Sequence, residues 1–244
     1  MYSLYLYAEK EPRPNLPEKY AAQVDADNSG SVELGDFESM DALQEELEAA
    51  AAAMQQAQGT LLALCACRYA EKVQPDTEAL VLGPACLQHL AACRMGLGYD
   101  YCPRHFRDTR RRNIMSFFIL TFPGGHGALS VHFEASFLFT GQHAGQDFII
   151  TPDQDELEEY ICHLAENNIP GPRIRIDYFS TGSLIWWQIC APVIAALAQM
   201  GATLELRIHP AMLVAEEDSI HPLVSRVLRS KTWRARLTPP DAEA

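Results

Sequence analysis

The chain has 244 residues, 48% hydrophobic and 21% charged, a globular composition that excludes extensive disorder and allows one large domain or two small ones. Against 19 basic side chains stand 32 acidic ones, for a formal charge of −13. This works against nucleic acid as a ligand, because phosphate contact needs a cationic face, and it suits a basic protein partner.

Residues 2–8 alternate as a strand and lack the basic and continuous apolar regions of a signal peptide. A short helix over 16–24 leads to a polar turn at 25–30. Apolar residues then recur at Phe37, Met40, Leu43, Leu47, Ala50 and Met54, one face of a helix ending near Gly59. Residues 60–69 read as a buried strand and 79–82 as a short one. Gly83-Pro84 opens a helix that runs to Met95 and stops at Gly96, and 97–103 return as a strand. Beyond an arginine-rich connector at 104–113, residues 114–122 and 128–140 form two strands around the glycine turn at 123–127. A strand at 147–150 precedes a helix with Thr151 as N-cap, Pro152 at its first position and Gln154 closing a capping box. Its apolar face is Leu157, Tyr160, Ile161 and Leu164. Residues 173–179 alternate, 180–183 turn, and 184–189 return as a hairpin partner. A helix follows with Pro192 in its first turn and a stop at Met200-Gly201, and 202–209 form the last alternating strand. The most apolar stretch, 184–200, holds Gln188, Pro192 and Gln199 and is too short to span a membrane comfortably.

Residues 90–103 parallel residues 197–210: helix, Met-Gly stop, strand, proline. Upstream, each half carries an acidic amphipathic helix, an alternating strand and a short apolar strand. The sequence therefore predicts an α+β protein, a tandem duplication of a helix-strand-strand-helix-strand unit with mixed or antiparallel sheets. One lobe spans 1–103, a connector 104–113, and a second lobe 114–244.

The sharpest local motif begins at Asp25 and ends at Asp36. Asp25, Asp27 and Ser29 offer side-chain oxygens, Gly30 permits a sharp turn, Ser31 offers its carbonyl, and Glu33 and Asp36 fill later positions. This segment resembles the EF-hand calcium loop, and the resemblance implies Ca2+ held by Asp25, Asp27, Ser29, Ser31, Glu33 and Asp36. It departs from that pattern in closing with Asp rather than Glu, which lowers affinity or favours magnesium, and in having no second loop.

Seven cysteines, most within apolar runs, read as small core residues of a reducing compartment, which points to the cytoplasm. Cys65 and Cys67 share one face of a strand, and Cys86, His89 and Cys93 one face of a helix. A zinc site from these groups competes with plain burial, and no Cys-x-x-Cys pair favours it. No nucleophile elbow or Cys/His signature is present. His126, His132 and Glu134 are the remaining candidates for an assembled enzyme site. Arg104, Arg107, Arg110, Arg111 and Arg112 read as a solvated linker, Trp186 and Trp187 face opposite sides of a strand, and Trp233 packs the tail or meets a partner. The reading is a non-catalytic cytosolic binding protein, an immunity-type inhibitor masking a basic partner such as a toxin. Calcium binding through 25–36, or an enzyme with an unrecognised site, is the alternative.

Overall fold

The computed structural model describes residues 1–8, 15–21, 31–57, 60–70, 79–103, 116–123, 139–143, 145–169, 173–180 and 185–210. The protein is α+β. In the first half come β1 (Tyr2–Ala8), α1 (Glu18–Ala21), β2 (Ser31–Phe37), α2 (Met40–Met54), β3 (Leu61–Ala70), β4 (Leu80–Leu82), α3 (Pro84–Ala92) and β5 (Gly96–Pro103). The second half has β6 (Ser116–Pro123), β7 (Phe139–His143), β8 (Gln146–Thr151), α4 (Gln154–Glu166), β9 (Arg173–Ser180), β10 (Ile185–Ile189), α5 (Ala191–Gln199) and β11 (Thr203–Pro210). No helix among the described residues is long and apolar enough to cross a membrane.

Local chemistry moves several boundaries away from the sequence reading. Phe37 belongs to a strand rather than a helix, because β2 pairs with β1 along its whole length, Tyr2 opposite Phe37. The helix starts only where the Ser39 hydroxyl accepts the Ala42 N–H, and it buries Met40, Leu43, Leu47, Ala50, Ala51 and Met54 as one stripe. Asp153, not Thr151, caps α4, accepting from the N–H groups of Asp155 and Glu156. Thr151 instead supports that cap by accepting the Asp153 N–H at 3.1 Å. The stop after α3 is Arg94, left-handed at φ 55°, and not Gly96. Gly201 (φ 63°) plays that role after α5. In both, a backbone bond closes the turn, from Met95 N–H to Leu90 and from Ala202 N–H to Leu197.

One sheet runs β10-β5-β3-β1-β2 and the other β4-β11-β9-β6-β8-β7. Each half follows the same plan. Two antiparallel neighbours, β1–β2 or β6–β8, extend to a third antiparallel strand, β3 or β9, which lies parallel to the last, β5 or β11. The short strand of each half then crosses over. β4 pairs antiparallel with β11, and β10 pairs antiparallel with β5. The expected 173–189 hairpin is therefore not formed, since β9 lies between β11 and β6.

The helices pack in the order α2–α3–α5–α4. One core joins them to a single face of each sheet: Leu4, Leu6, Leu64, Leu97 and Tyr99 on one side, Ile174, Ile176, Leu204 and Leu206 on the other. Alternation sends the residues between these to the opposite faces. Trp187 on β10 carries the exchange into the core, its ring centroid 5.5 Å from Phe118 and 6.0 Å from Tyr178 of the other sheet. The outer edges of the exchanged strands are held by glutamines. Gln44 of α2 accepts the Val81 N–H at 2.7 Å, and Gln154 of α4 donates to the Gln188 carbonyl at 2.7 Å.

Truncating the buried Trp187 to Ala should cost about 3–5 kcal/mol, and Gln44→Ala about 1 kcal/mol. Urea unfolding followed by both fluorescence and far-UV dichroism checks this. Because one core spans both halves, each variant should lower a single midpoint rather than split the transition.

Candidate metal centre

On the first sheet, the face turned away from the helices is ordered by strand register. One row across it runs Asp36, Ser3, Cys67, Asp100. The next runs Glu33, Tyr5, Cys65, Gly98, Gln188. The parallel pairing of β3 with β5 sets Cys67 directly beside Asp100 and Cys65 beside Gly98. The Cys65 and Cys67 sulfurs and a carboxylate oxygen of Asp100 all lie within 4.8 Å of one another. The Cys67 thiol donates to Asp100 Oδ2 at 3.6 Å, while Oδ1 of the same carboxylate is buried with no hydrogen-bond partner.

The glycine at 98 makes room for this cluster. A Cβ there would stand 2.8 Å from the Cys65 sulfur and 3.1 Å from its Cβ. Beside it lies a pocket of about 290 Å³ lined by Tyr7, Leu62, Ala63, Cys65, Gly98 and Gln188, so that Cys65 borders both cluster and pocket.

The two thiols are free cysteines. Same-face residues two apart on a strand have Cβ atoms about 6.6 Å apart, against roughly 4 Å in a disulfide, so the strand holds them apart as thiols. A tetrahedral ion with metal–sulfur bonds near 2.3 Å and metal–oxygen bonds near 2.0 Å places sulfur about 3.5 Å from oxygen. The Cys67–Asp100 separation of 3.6 Å already matches that span. Burial lifts the Asp100 carboxyl to about 6, although the bonds from Cys67 and Cys65 oppose the rise. The Cys65 thiol is held far above the ordinary range by its hydrogen bond to Cys67 and then by burial. Burial, then the charges of Cys65, Cys67 and Asp100, pushes Tyr7 up to about 12. The Cys65 thiol thus retains its proton until a cation replaces it. Two thiolates with one carboxylate select a borderline-soft ion over calcium or magnesium, and three protein donors leave a fourth position for water or a ligand.

Of the residues singled out from sequence, Cys65 and Cys67 are brought together on one strand face as expected. Cys86, His89 and Cys93 do not join them. On α3, Cys86 is buried near Glu48 of α2, and His89 Nδ1 accepts from the Gln55 amide at 2.6 Å. Of the EF-hand-like segment, Asp25, Asp27 and Ser29 lie outside the described residues, as do His126, His132, Glu134, Trp233 and the arginines at 104–112. Ser31, Glu33 and Asp36 lie on β2, where Glu33 is exposed and Asp36 accepts the Ser3 hydroxyl. Asp100 was missed by sequence reasoning. Its signal is the helix between β3 and β5, which implies a parallel pair and hence a same-face neighbour for Cys67. No family model, no curated protein and no solved structure matches the chain.

Because the folded-state value for Asp100 lies above the ordinary carboxylate value near 4, its protonation stabilises the metal-free fold. That contribution is complete below about pH 4 and is lost as pH rises through about 6. Asp100→Asn should therefore raise the melting temperature of metal-free protein at pH 8 and leave it nearly unchanged at pH 4. Thermal scans across that window check the sign.

Proposed function

We propose that the protein binds a thiophilic divalent cation of the zinc class through Cys65, Cys67 and Asp100. The observation that carries this reading is the gathering of two thiols and one carboxylate within 4.8 Å, with a buried carboxylate oxygen that no protein group satisfies. An apolar core would place neither an unpaired Oδ1 nor an acid beside the cysteines. Bound there, the ion would act as a Lewis acid for a donor atom entering from the pocket beside Cys65. Calcium binding at 25–36 is a separate proposal for hard oxygen donors. The shared order and pairing of the two halves likewise support a tandem duplication, read from topology alone.

Cobalt(II) added to metal-free protein should produce thiolate-to-metal charge-transfer absorption, which zinc displaces and calcium does not. Cys65→Ser and Cys67→Ser should each remove intensity from that band and weaken binding by at least about tenfold, the cost of losing even a group that only supports a ligand. Binding should release about two protons from the thiols, so affinity should rise about a hundredfold per pH unit near neutrality. Equal cobalt spectra in the wild type and the double serine variant would retire the reading.

A further inference from the structure

The second sheet carries its own polar cluster on the face turned away from the helices. Register pairs Arg175 with Glu205 and Asp177 with Arg207, so charges alternate along and across the parallel strands β9 and β11. Arg175 donates to both oxygens of Asp177 through Nε and Nη2, at 2.7 and 2.8 Å, and His209 Nε2 lies 2.7 Å from Oδ1. Glu205 is clasped from two sides. Arg173 donates to Oε2 at 3.0 and 2.6 Å, and Arg207 donates to Oε1 at 3.0 and 2.6 Å.

The layering decides what solvent meets. Asp177 and Glu205 side chains are 0% and 5% exposed, whereas those of Arg173, Arg175, Arg207 and His209 are 65%, 27%, 28% and 21% exposed. Two carboxylates form a floor and four basic groups a rim. Three guanidinium charges against two carboxylates leave +1, or +2 with His209 protonated. Each guanidinium turns its Nε and Nη2 edge to the floor, and among the described residues none accepts from Nη1. His209 is fixed by stacking on Phe179, centroids 4.3 Å apart, and Phe179 stacks on Phe117 at 4.9 Å. Thr121, the register neighbour of Arg175 on β6, has a buried hydroxyl with no partner.

We infer that this face is a binding site for a phosphate-class oxyanion carried by a small molecule, received by the Nη1 ends of Arg175 and Arg207 with Arg173 and His209 beside them. The buried carboxylates hold the guanidiniums in place before the ligand arrives, which lowers the ordering cost of binding. Planar guanidinium forks match phosphate oxygens in pairs. The chain's overall negative charge opposes anions at long range. At about 0.15 M salt that field decays within about 8 Å, so contacts within the cluster dominate.

Calorimetric titration with inorganic pyrophosphate at about 0.15 M chloride tests the site. The expected result is saturable, one-to-one binding, weakened at least tenfold by Arg207→Gln and measurably by Arg173→Gln. Each variant leaves Glu205 one arginine, so both should fold, which far-UV dichroism verifies. Lys19→Gln, which removes an exposed cation from α1, should bind pyrophosphate as the wild type does. Absence of saturable heat would overturn the inference, and so would affinity unchanged in both arginine variants.

Discussion

The exchange of one short strand in each direction is the constraint on which the rest of the molecule depends. Without β10, the edge of β5 would present unpaired backbone groups, and without β4 the same would hold for part of β11. Each half closes the other's sheet, so neither sheet is complete on its own chain segment. The exchanged strands are short, Leu80–Leu82 and Ile185–Ile189, and ladder bonds alone would hold them weakly. Their buried side chains and the glutamine contacts from α2 and α4 compensate, with Trp187 seated against Phe118 and Tyr178. The helix layer can then serve both sheets with one core, since α3 and α5 pack against each other.

That arrangement turns one face of each sheet away from the helix core, and these two faces carry their polar clusters at matching places. Cys65 and Cys67 stand beside Gly98 and Asp100 on the parallel pair β3–β5. Arg175 and Asp177 stand beside Glu205 and Arg207 on the parallel pair β9–β11. The scaffold supplies the same four adjacent positions twice, and side-chain chemistry differs between them. One set gathers groups that suit a cation, the other a carboxylate floor under guanidiniums that suits an anion.

Much of this scaffold was legible in the sequence, because periodicity reports local geometry. The alternation over 173–179 marked β9, and the alignment of 90–103 with 197–210 fell in register with the ends of α3 and α5 and the starts of β5 and β11. Partner choice was not legible. Leu80–Leu82 and Ile185–Ile189 look like return strands locally, and nothing in three or five residues says that the pairing lies across the molecule. Strand β2 was hidden for another reason. Glu33, Gly35 and Asp36 are poor strand formers, and pairing with β1 overrides that weak propensity. Likewise the cysteine pair was visible on its strand, but Asp100 joins it only through a parallel register that a helix intervenes to create.

The two buried carboxylates show why the clusters call for different ligands. Asp177 is wholly buried, and burial by itself would raise its carboxyl. The bonds from His209 and Arg175 outweigh that and hold it below the usual range. Its counter-charge is built into the fold, so its ionisation stabilises the protein above the ordinary carboxylate value and that contribution is lost as pH falls through the lowered one. Asp100 is less buried yet shifts the other way, because burial outweighs the opposing bonds from Cys67 and Cys65. Among the described residues no cation is paired with it. A carboxylate whose charge the fold disfavours, beside two cysteine sulfurs, is stabilised in its ionised form when positive charge comes from outside the chain. A thiophilic divalent ion supplies that charge and satisfies the orphaned oxygen in the same step.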